Sequence, residues 1–384
     1  MLDVAESTKA VSRPTQGEAL VELKELNAIG RPTQGEALLE LQELNAVSRP
    51  TQGEALLELR ELKTSFVVGG KENCVVTGVS FSIAAGQTVA LVGESGSGKS
   101  VTALSILRLF NRGDQVRLSG QALWRNRVGQ VRNLLSLRPA DLQKIRGSEI
   151  GFVFQDPGAS LNPVFTIGSQ LRETLRLHQP QQDANQLAIQ LLEDVGIADA
   201  QRRLKAYPHQ LSGGMRQRVM LAITLACLPR LLIADEPTTA LDVTIQAQMM
   251  SLLAELQSKY GMALLFITHD LGLVAQIADA VIVMYAGQIV EHGTVAQVIE
   301  QPQHPYTRAL LACRPVRHYR DDGPDDRVMK PIEGRPPEVV GSLQGCRFAP
   351  RCQYQQEACR EHSIALQTIA EAQSVRCDRW RELS

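Results

Sequence analysis

A glycine-rich run of eight residues has the composition of a phosphate-binding loop. Residues 93–100 read G-E-S-G-S-G-K-S, which fits the pattern G-x-x-x-x-G-K-S/T. The glycines let backbone N–H groups turn toward phosphate oxygens, and a following helix adds partial positive charge at its N-terminus. We predict that Lys99 reaches the β- and γ-phosphates of a nucleoside triphosphate and that the Ser100 hydroxyl binds Mg²⁺. The predicted nucleotide-binding residues are Gly93, Glu94, Ser95, Gly96, Ser97, Gly98, Lys99 and Ser100.

Two carboxylates follow a second apolar run, residues 231–234. Asp235 suits indirect coordination of Mg²⁺, and Glu236 suits polarising an attacking water. Paired carboxylates after a strand can also form a solvated turn. The phosphate-binding loop upstream favours the catalytic interpretation.

Two more apolar runs end in polar side chains. Residues 150–154 deliver Gln155, which can bind Mg²⁺ or position a water, and residues 263–268 deliver His269. His269 could contact a γ-phosphate or orient the water, although a single histidine at a strand end is often structural. Neither residue is specific by itself.

A serine and two glycines at 212–214 precede a helical pattern. Such a helix start can bind an anion, and the alternative is an ordinary N-cap. Phe66 lies where an aromatic ring could stack on an adenine, and the alternative is a core aromatic.

The elements that must position these groups alternate between strand and helix patterns. The apolar run 88–92 predicts a buried strand before the glycine loop, and apolar residues at helical spacing predict a helix after it. Residues 111–138 predict an irregular segment, and about 167–206 predicts helices.

Size and composition set the broad class. The chain has 384 residues, is 44% hydrophobic and 21% charged, and has a net charge of −1. These values fit a soluble globular protein of about two domains and give no case for nucleic-acid binding. No apolar run approaches the roughly 18 residues of a membrane span, and residues 1–10 lack the apolar core of a secretory signal. We therefore expect a cytoplasmic location.

The N-terminal region repeats itself with a period of 18 residues. The run R-P-T-Q-G-E-A-L begins at Arg13, Arg31 and Arg49. We interpret the first two copies as duplicated sequence without a catalytic role, and partner binding is the alternative. The third copy continues into a pattern that predicts the first strand of the nucleotide-binding fold.

In this order and spacing, the motifs resemble those of an ATP-binding cassette (ABC) ATPase. The resemblance covers about residues 56–384 and implies an α/β fold. Its parts would be a P-loop ATPase core with an antiparallel β subdomain, an inserted α-helical subdomain and a small cysteine-containing C-terminal extension. The implied division is a poorly ordered repeat region at 1–55, an ATPase domain at 56–313 with helices at about 156–211, and an extension at 314–384.

The resemblance also assigns roles. It implies that ATP and Mg²⁺ are the cofactors and that Phe66 stacks on adenine, where tyrosine is commoner. Two such domains pair head-to-tail, so that one chain's signature completes the other's nucleotide site. The implied catalytic residues are Lys99, Gln155, Glu236 and His269; the Mg²⁺ ligands are Ser100, Gln155 and Asp235; the signature is Ser212, Gly213 and Gly214; and Asp242 belongs to the loop after the paired carboxylates.

Further segments resemble the dipeptide/oligopeptide (and nickel) importer branch, namely 154–157, 161–163, 211–218 and 303–307. This resemblance implies an ATPase that drives uptake of di- or oligopeptides from the cytoplasmic face of the cell (inner) membrane. Its partners would be a second ATPase, identical or not, two permease subunits and, indirectly, an extracytoplasmic solute-binding protein. The alternatives are nickel or another small solute, and a soluble ABC ATPase of DNA repair or translation. The latter usually carries two cassettes or DNA-binding insertions, which this sequence does not display.

Four of the seven cysteines crowd into the last forty residues. Structural disulfides are not expected in the cytoplasm. The gaps of five, six and seventeen residues fit neither the usual zinc spacings nor the common ferredoxin runs. Some members of the importer family carry a [4Fe–4S] cluster here, and the resemblance extends it to Cys346, Cys352, Cys359 and Cys377. Zinc and four reduced thiols are the alternatives.

Overall fold

The computed structural model of the protein describes residues 54–111, 113–239, 242–313, 332–337 and 344–383. The first two repeat copies lie outside these residues, as do most of the third copy, the loop residues 240–241 and the acidic linker 321–326. In the described part, no helix combines the length and the apolar character needed to cross a bilayer.

Four strands form an antiparallel sheet with the order β2-β1-β4-β5. Gly69 and Gly70, both with positive φ, make the tight turn between β1 and β2. Two of these strands lie in the segment 111–138, so the predicted irregular structure there was wrong. The strands are β1 (Ala55–Val68), β2 (Lys71–Ala84), β4 (Val116–Arg125) and β5 (Val131–Asn133).

Eight strands form the second sheet, with the order β11-β12-β10-β9-β3-β8-β7-β6. Strands β9, β3, β8, β7 and β6 are parallel, and the other three pair antiparallel. Every residue of β3, β7 and β8 is buried, as expected for parallel strands covered on both faces. The strands are β3 (Thr88–Val92), β6 (Ile150–Val153), β7 (Leu231–Asp235), β8 (Ala263–Thr268), β9 (Ala280–Tyr285), β10 (Gln288–Thr294), β11 (Gln367–Ala370) and β12 (Gln373–Val375).

Helices connect and cover the strands. Helix α4 buries one apolar face, on which Ile167, Leu171 and Leu175 recur at helical spacing and are fully buried. The helices are α1 (Lys99–Leu107), α2 (Pro139–Ile145), α3 (Pro157–Ser160), α4 (Ile167–His178), α5 (Ala184–Asp194), α6 (Ala200–Arg203), α7 (Gly213–Leu225), α8 (Val243–Tyr260), α9 (Leu271–Ile277), α10 (Val295–Glu300), α11 (Pro305–Ala312), α12 (Ala358–Glu361) and α13 (Trp380–Leu383).

The C-terminal region is built into the larger sheet. Strand β12 pairs with β10, and β11 extends the sheet beyond it. Phe348 is buried against Tyr285 and Tyr306, each with its ring centroid 5.3 Å away. The cysteine-containing extension therefore shares a hydrophobic core with the end of β9 and with α11.

Candidate nucleotide-binding site

The glycine loop connects β3 to α1, as the sequence predicts. A Cβ atom on Gly93 would come within 2.2 Å of the Met284 carbonyl oxygen, so the close approach of β9 requires glycine there. Gly98 has a φ of +98° and leads directly into α1, a conformation that favours glycine. The loop therefore places the first turn of α1 and its backbone N–H groups at the end of the central strand.

Lys99 is buried at the start of α1, with 4% of its surface exposed. Its ammonium donates hydrogen bonds to the carbonyl oxygens of Gly93 (2.8 Å) and Glu94 (3.0 Å). Burial lowers the pKa of Lys99, while the carboxylates of Glu236, Asp235 and Glu94 oppose that shift. The loop thus holds a desolvated cation, which attracts phosphate strongly.

Ser100 and Asp235 form the predicted Mg²⁺-binding pair. The Ser100 hydroxyl donates to Asp235 Oδ1 at 2.9 Å, which joins α1 to the end of β7. Burial raises the pKa of Asp235, and the hydrogen bond from Ser100 partly offsets this. A serine hydroxyl and a carboxylate are oxygen ligands of the kind that Mg²⁺ prefers.

Glu236 lies at the centre of the polar groups that follow the parallel strands. Its carboxylate accepts hydrogen bonds from Gln155 Nε2 (3.2 Å) and Thr239 Oγ1 (2.8 Å). It also lies 3.9 Å from Lys99 Nζ and 3.5 Å from His269 Nδ1. Its backbone has a φ of +46°, in the left-handed region, which is uncommon for a non-glycine residue and concentrates at functional sites.

These residues surround one open cavity of about 680 Å³. The predicted site residues that line it are Glu94, Ser95, Gly96, Gly98, Lys99, Ser100, Gln155, Glu236 and His269. Val75, Val101, Leu310 and Pro336 also line the cavity, and sequence reasoning did not identify them. The site therefore combines a polar phosphate end with apolar side chains, two of them from beyond residue 300.

Other predicted residues lie outside the lining of this cavity. Phe66 packs edge-on against Phe110, with ring centroids 5.7 Å apart, so its role at adenine stays a prediction. Ser212 caps α7 by accepting from the Met215 N–H at 3.3 Å. Asp242 likewise caps α8 through Ile245 N at 2.9 Å. Among the described lining residues, none comes from the signature at 212–214.

The C-terminal region contacts the glycine loop directly, which no local motif indicated. Arg351 forms a bidentate ion pair with the Glu94 carboxylate, with N–O distances of 2.6 and 3.0 Å. The backbone N–H of Glu94 donates to the Tyr306 hydroxyl at 2.9 Å. These partners lie more than 200 positions from Glu94 in the sequence, so only the fold reveals them.

The four C-terminal cysteines line one small cavity of about 20 Å³. Burial raises the pKa of the Cys346 and Cys352 thiols, and that of Cys377 to about 11. Every pair of the four also interacts electrostatically, and backbone N–H groups donate to the sulfurs of Cys346, Cys352 and Cys377. Within the described ranges, no group of three or more His, Cys, Asp or Glu side chains is arranged to hold a metal ion.

Comparison with protein families gives two matches. Residues 76–239 match the family described as ABC transporter, and residues 290–359 match the family described as oligopeptide/dipeptide transporter, C-terminal region. A putative peptide import ATP-binding protein of Brucella ovis is 47% identical over 325 residues, covering 84% of this chain and 96% of the relative. The oligopeptide transport ATP-binding protein AppD of Bacillus subtilis is 48% identical over 310 residues, covering 80% and 91%.

Solved structures agree in fold. The ATP-binding cassette MJ0796, in a dimeric post-hydrolysis state bound to ADP and Pi, matches with a TM-score of 0.55 and 27% identity, over 62% of this chain and 98% of that chain. The protein cbiO1 from Clostridium perfringens, part of the ABC transporter complex cbiONQ, matches with a TM-score of 0.54 and 26% identity, over 65% and 92%. The chain therefore belongs to the ABC transporter ATPase family, in the branch with the oligopeptide/dipeptide transporter C-terminal region, and it is an ATPase that uses ATP and Mg²⁺.

Proposed function

We propose that this chain is the ATP-hydrolysing subunit of a membrane importer and that it couples hydrolysis to uptake of di- or oligopeptides. The carrying observation is the convergence of Lys99, Gln155, Glu236 and His269 on one cavity beside the glycine loop. The relatives named for peptide import, and the family match at 290–359, support peptides as the transported class.

The proposed chemistry is in-line attack of water on the γ-phosphorus of ATP. Lys99 and the Mg²⁺ bound near Ser100, Asp235 and Gln155 would stabilise the charge that develops on the phosphate oxygens. Glu236 would accept a proton from the attacking water, and His269 would orient the water or contact the γ-phosphate. The contacts of Glu236 with Gln155 and Thr239 hold its carboxylate toward the cavity.

A second ATPase subunit would complete the site. Ser212 and Gly213 are exposed at the start of α7, and the described residues around this chain's own cavity do not include them. The helix N-terminus they form is suited to an anion. In a head-to-tail pair it would meet the triphosphate held by the other chain, so ATP would close the dimer and hydrolysis would release it.

We further propose that two permease subunits dock on the helices that follow Gln155. Val164 is 71% exposed and Phe165 is 51% exposed in the segment before α4. Exposed apolar side chains next to a catalytic loop suit a protein interface. The chain would then work as a peripheral subunit at the cytoplasmic face of the cell membrane, with an extracytoplasmic protein delivering the solute.

Reconstitution tests the function. The full chain, tagged and purified from membranes, is expected to retain permease subunits, and ATPase activity in proteoliposomes with the solute-binding protein is expected to rise with added peptide. The Lys99→Met variant should abolish both uptake and hydrolysis. Stimulation by Ni²⁺ rather than peptide would contradict the peptide assignment. Absence of any membrane partner would favour a soluble ABC ATPase.

We also propose that Cys346, Cys352, Cys359 and Cys377 hold a [4Fe–4S] cluster. Their shared cavity and the backbone N–H groups directed at three sulfurs support thiolate ligation. Zinc held by the same four thiolates is the alternative. When bound, the cluster would crosslink the extension, and the proposed ATPase chemistry requires no electrons from it.

Metal analysis tests the cluster. Protein purified without oxygen is expected to contain about four iron and four acid-labile sulfide per chain. Double Cys346→Ser/Cys352→Ser substitution should remove both, whereas Cys227→Ser should not, since Cys227 lies outside the group. Protein that contains neither iron nor sulfide would contradict the proposal, and stoichiometric zinc would favour the alternative.

A further inference from the structure

Glu94 places a carboxylate at the mouth of the phosphate-binding loop. Its side chain is 26% exposed and lines the nucleotide cavity. The charge of this carboxylate acts on Lys99, the cation expected to meet the β- and γ-phosphates. A negative charge here opposes the binding of ATP, which brings several negative charges to the same cavity.

Arg351 holds that carboxylate from the C-terminal region. Its side chain is only 4% exposed and forms the bidentate pair with Glu94. The guanidinium also lies over the rings of Tyr285 (5.8 Å) and Phe348 (6.0 Å) and donates to the carbonyl oxygens of Ile332 and Glu333. A guanidinium fixed on so many sides neutralises Glu94 in one defined position.

We propose that Arg351 is a positioning residue for ATP binding. By neutralising Glu94, it removes a repulsive charge from the nucleotide cavity and holds the glycine loop in place. This inference rests on the proposed ATP-binding site and goes beyond it, because it gives the C-terminal region a part in nucleotide affinity. Arg351 directly precedes Cys352, so its side chain connects the packing of the cysteine region to the loop.

The chain offers a matched control in Arg376. It also directly precedes a cysteine of the group, Cys377, and is partly buried. Its guanidinium donates to the carbonyl oxygens of Ile289 (2.8 Å) and Ile364 (2.7 Å) instead of to Glu94. Replacing it perturbs the cysteine region without removing the partner of Glu94.

A double-mutant cycle on the full chain tests the inference, with the affinity for Mg²⁺-adenylyl imidodiphosphate measured by calorimetry. Arg351→Met is expected to weaken binding about fivefold to tenfold, because the uncompensated Glu94 carboxylate would repel the negatively charged nucleotide in the same cavity. In the Glu94→Gln background, Arg351→Met should weaken binding of the analogue by less than about twofold, because no carboxylate is left to neutralise. Raising the salt concentration should reduce the loss caused by Arg351→Met alone.

The outcomes separate charge neutralisation from loss of packing. Arg376→Met is expected to have the same effect in both backgrounds. If the Arg351→Met variant does not fold, the Arg351→Lys variant is measured in its place. A smaller loss of affinity that disappears in the Glu94→Gln background supports the inference. If substitution of Arg351 lowers the affinity equally in the unsubstituted and Glu94→Gln backgrounds, or does not lower it at all, the inference is overturned. Failure of the unsubstituted chain to bind the analogue would instead count against the proposed function.

Discussion

The side-chain amide of Gln155 donates a hydrogen bond to the carboxylate of Glu236 at 3.2 Å. Gln155 lies in the short segment between β6 and α3, whereas Glu236 directly follows β7. The bond therefore joins the proposed catalytic base to the segment that leads into the helices where a permease would dock. A movement of those helices can reach the base through a single contact.

Glu236→Gln tests the proposed base. The variant is expected to bind ATP, because the loop and Lys99 are unchanged, and to accumulate as a closed dimer. Its turnover should fall about 100-fold or more, since general-base assistance is typically worth about 10²–10⁴ in rate. Turnover is measured by phosphate release, and accumulation of the closed dimer is measured by light scattering. Exposed Glu255 on α8 supplies the control variant Glu255→Gln. Turnover near the unsubstituted rate in Glu236→Gln would refute the role of Glu236.

A mixing experiment tests whether the signature acts on the opposite chain. Lys99→Met and Ser212→Arg each should abolish ATPase activity in a homodimer. A mixed dimer of the two variants contains one site with an intact Lys99 and an intact signature, so mixing is expected to restore part of the activity. If the signature served its own chain, both sites of the mixed dimer would be defective. Steady-state ATPase rates over a range of mixing ratios distinguish these results.

The structure brings several of the predicted site residues to one edge of the sheet, for a topological reason. Each polar residue follows an apolar run, and parallel strands end at the same edge of a sheet, so Gln155, Glu236 and His269 meet there. Because each of these residues closely follows such a strand, its position in the sequence is enough to predict the edge of the sheet at which it lies. The N-cap interpretation of Ser212 also holds in this structure, and it is compatible with a role toward a second chain.

Long-range contacts were beyond the reach of sequence patterns. The ion pair between Glu94 and Arg351 joins residues 257 positions apart. Residues 111–138 were misassigned because β4 and β5 form part of a half-exposed antiparallel sheet whose apolar positions are sparse. The Phe66–Phe110 contact likewise required knowledge of which rings the fold brings together.

Glu291→Gln tests how the C-terminal region is anchored. Glu291 on β10 is fully buried, and its carboxylate accepts from the backbone N–H groups of Gln303 (2.7 Å) and His304 (2.9 Å). A glutamine would direct an N–H donor at another donor, so the free energy of unfolding should fall by about 1–3 kcal/mol. Urea denaturation measures the change. Exposed Glu300→Gln is the control, and an equally stable Glu291→Gln variant would contradict the anchoring role.

Asp194 should stabilise the packing of the helical region in a pH-dependent way. At the end of α5, its carboxylate accepts hydrogen bonds from Tyr260 (2.5 Å) and Gln190 (2.8 Å) and pairs with Lys259 (2.7 Å). Burial opposes its ionisation, but the bonds from Lys259, Tyr260 and Gln190 outweigh burial, and the pKa of Asp194 lies below its usual value. A carboxyl whose folded-state pKa is lowered stabilises the fold above its unfolded-state pKa, and that stabilisation is lost as pH falls through the folded-state pKa.

We therefore expect Asp194→Asn to lower the free energy of unfolding by about 1–2 kcal/mol near neutral pH, through loss of the ion pair and one acceptor. The difference from the unsubstituted chain should shrink as the pH falls from the unfolded-state pKa of an aspartate, about 3.9, through the lower folded-state pKa of Asp194. Urea denaturation at several pH values measures this. Glu193→Gln, at the exposed neighbouring position, makes the same change in charge and should leave stability within about 0.5 kcal/mol. A difference between Asp194→Asn and the unsubstituted chain that stays constant across this pH range would show that the ionised carboxylate does not stabilise the junction between α5 and α8.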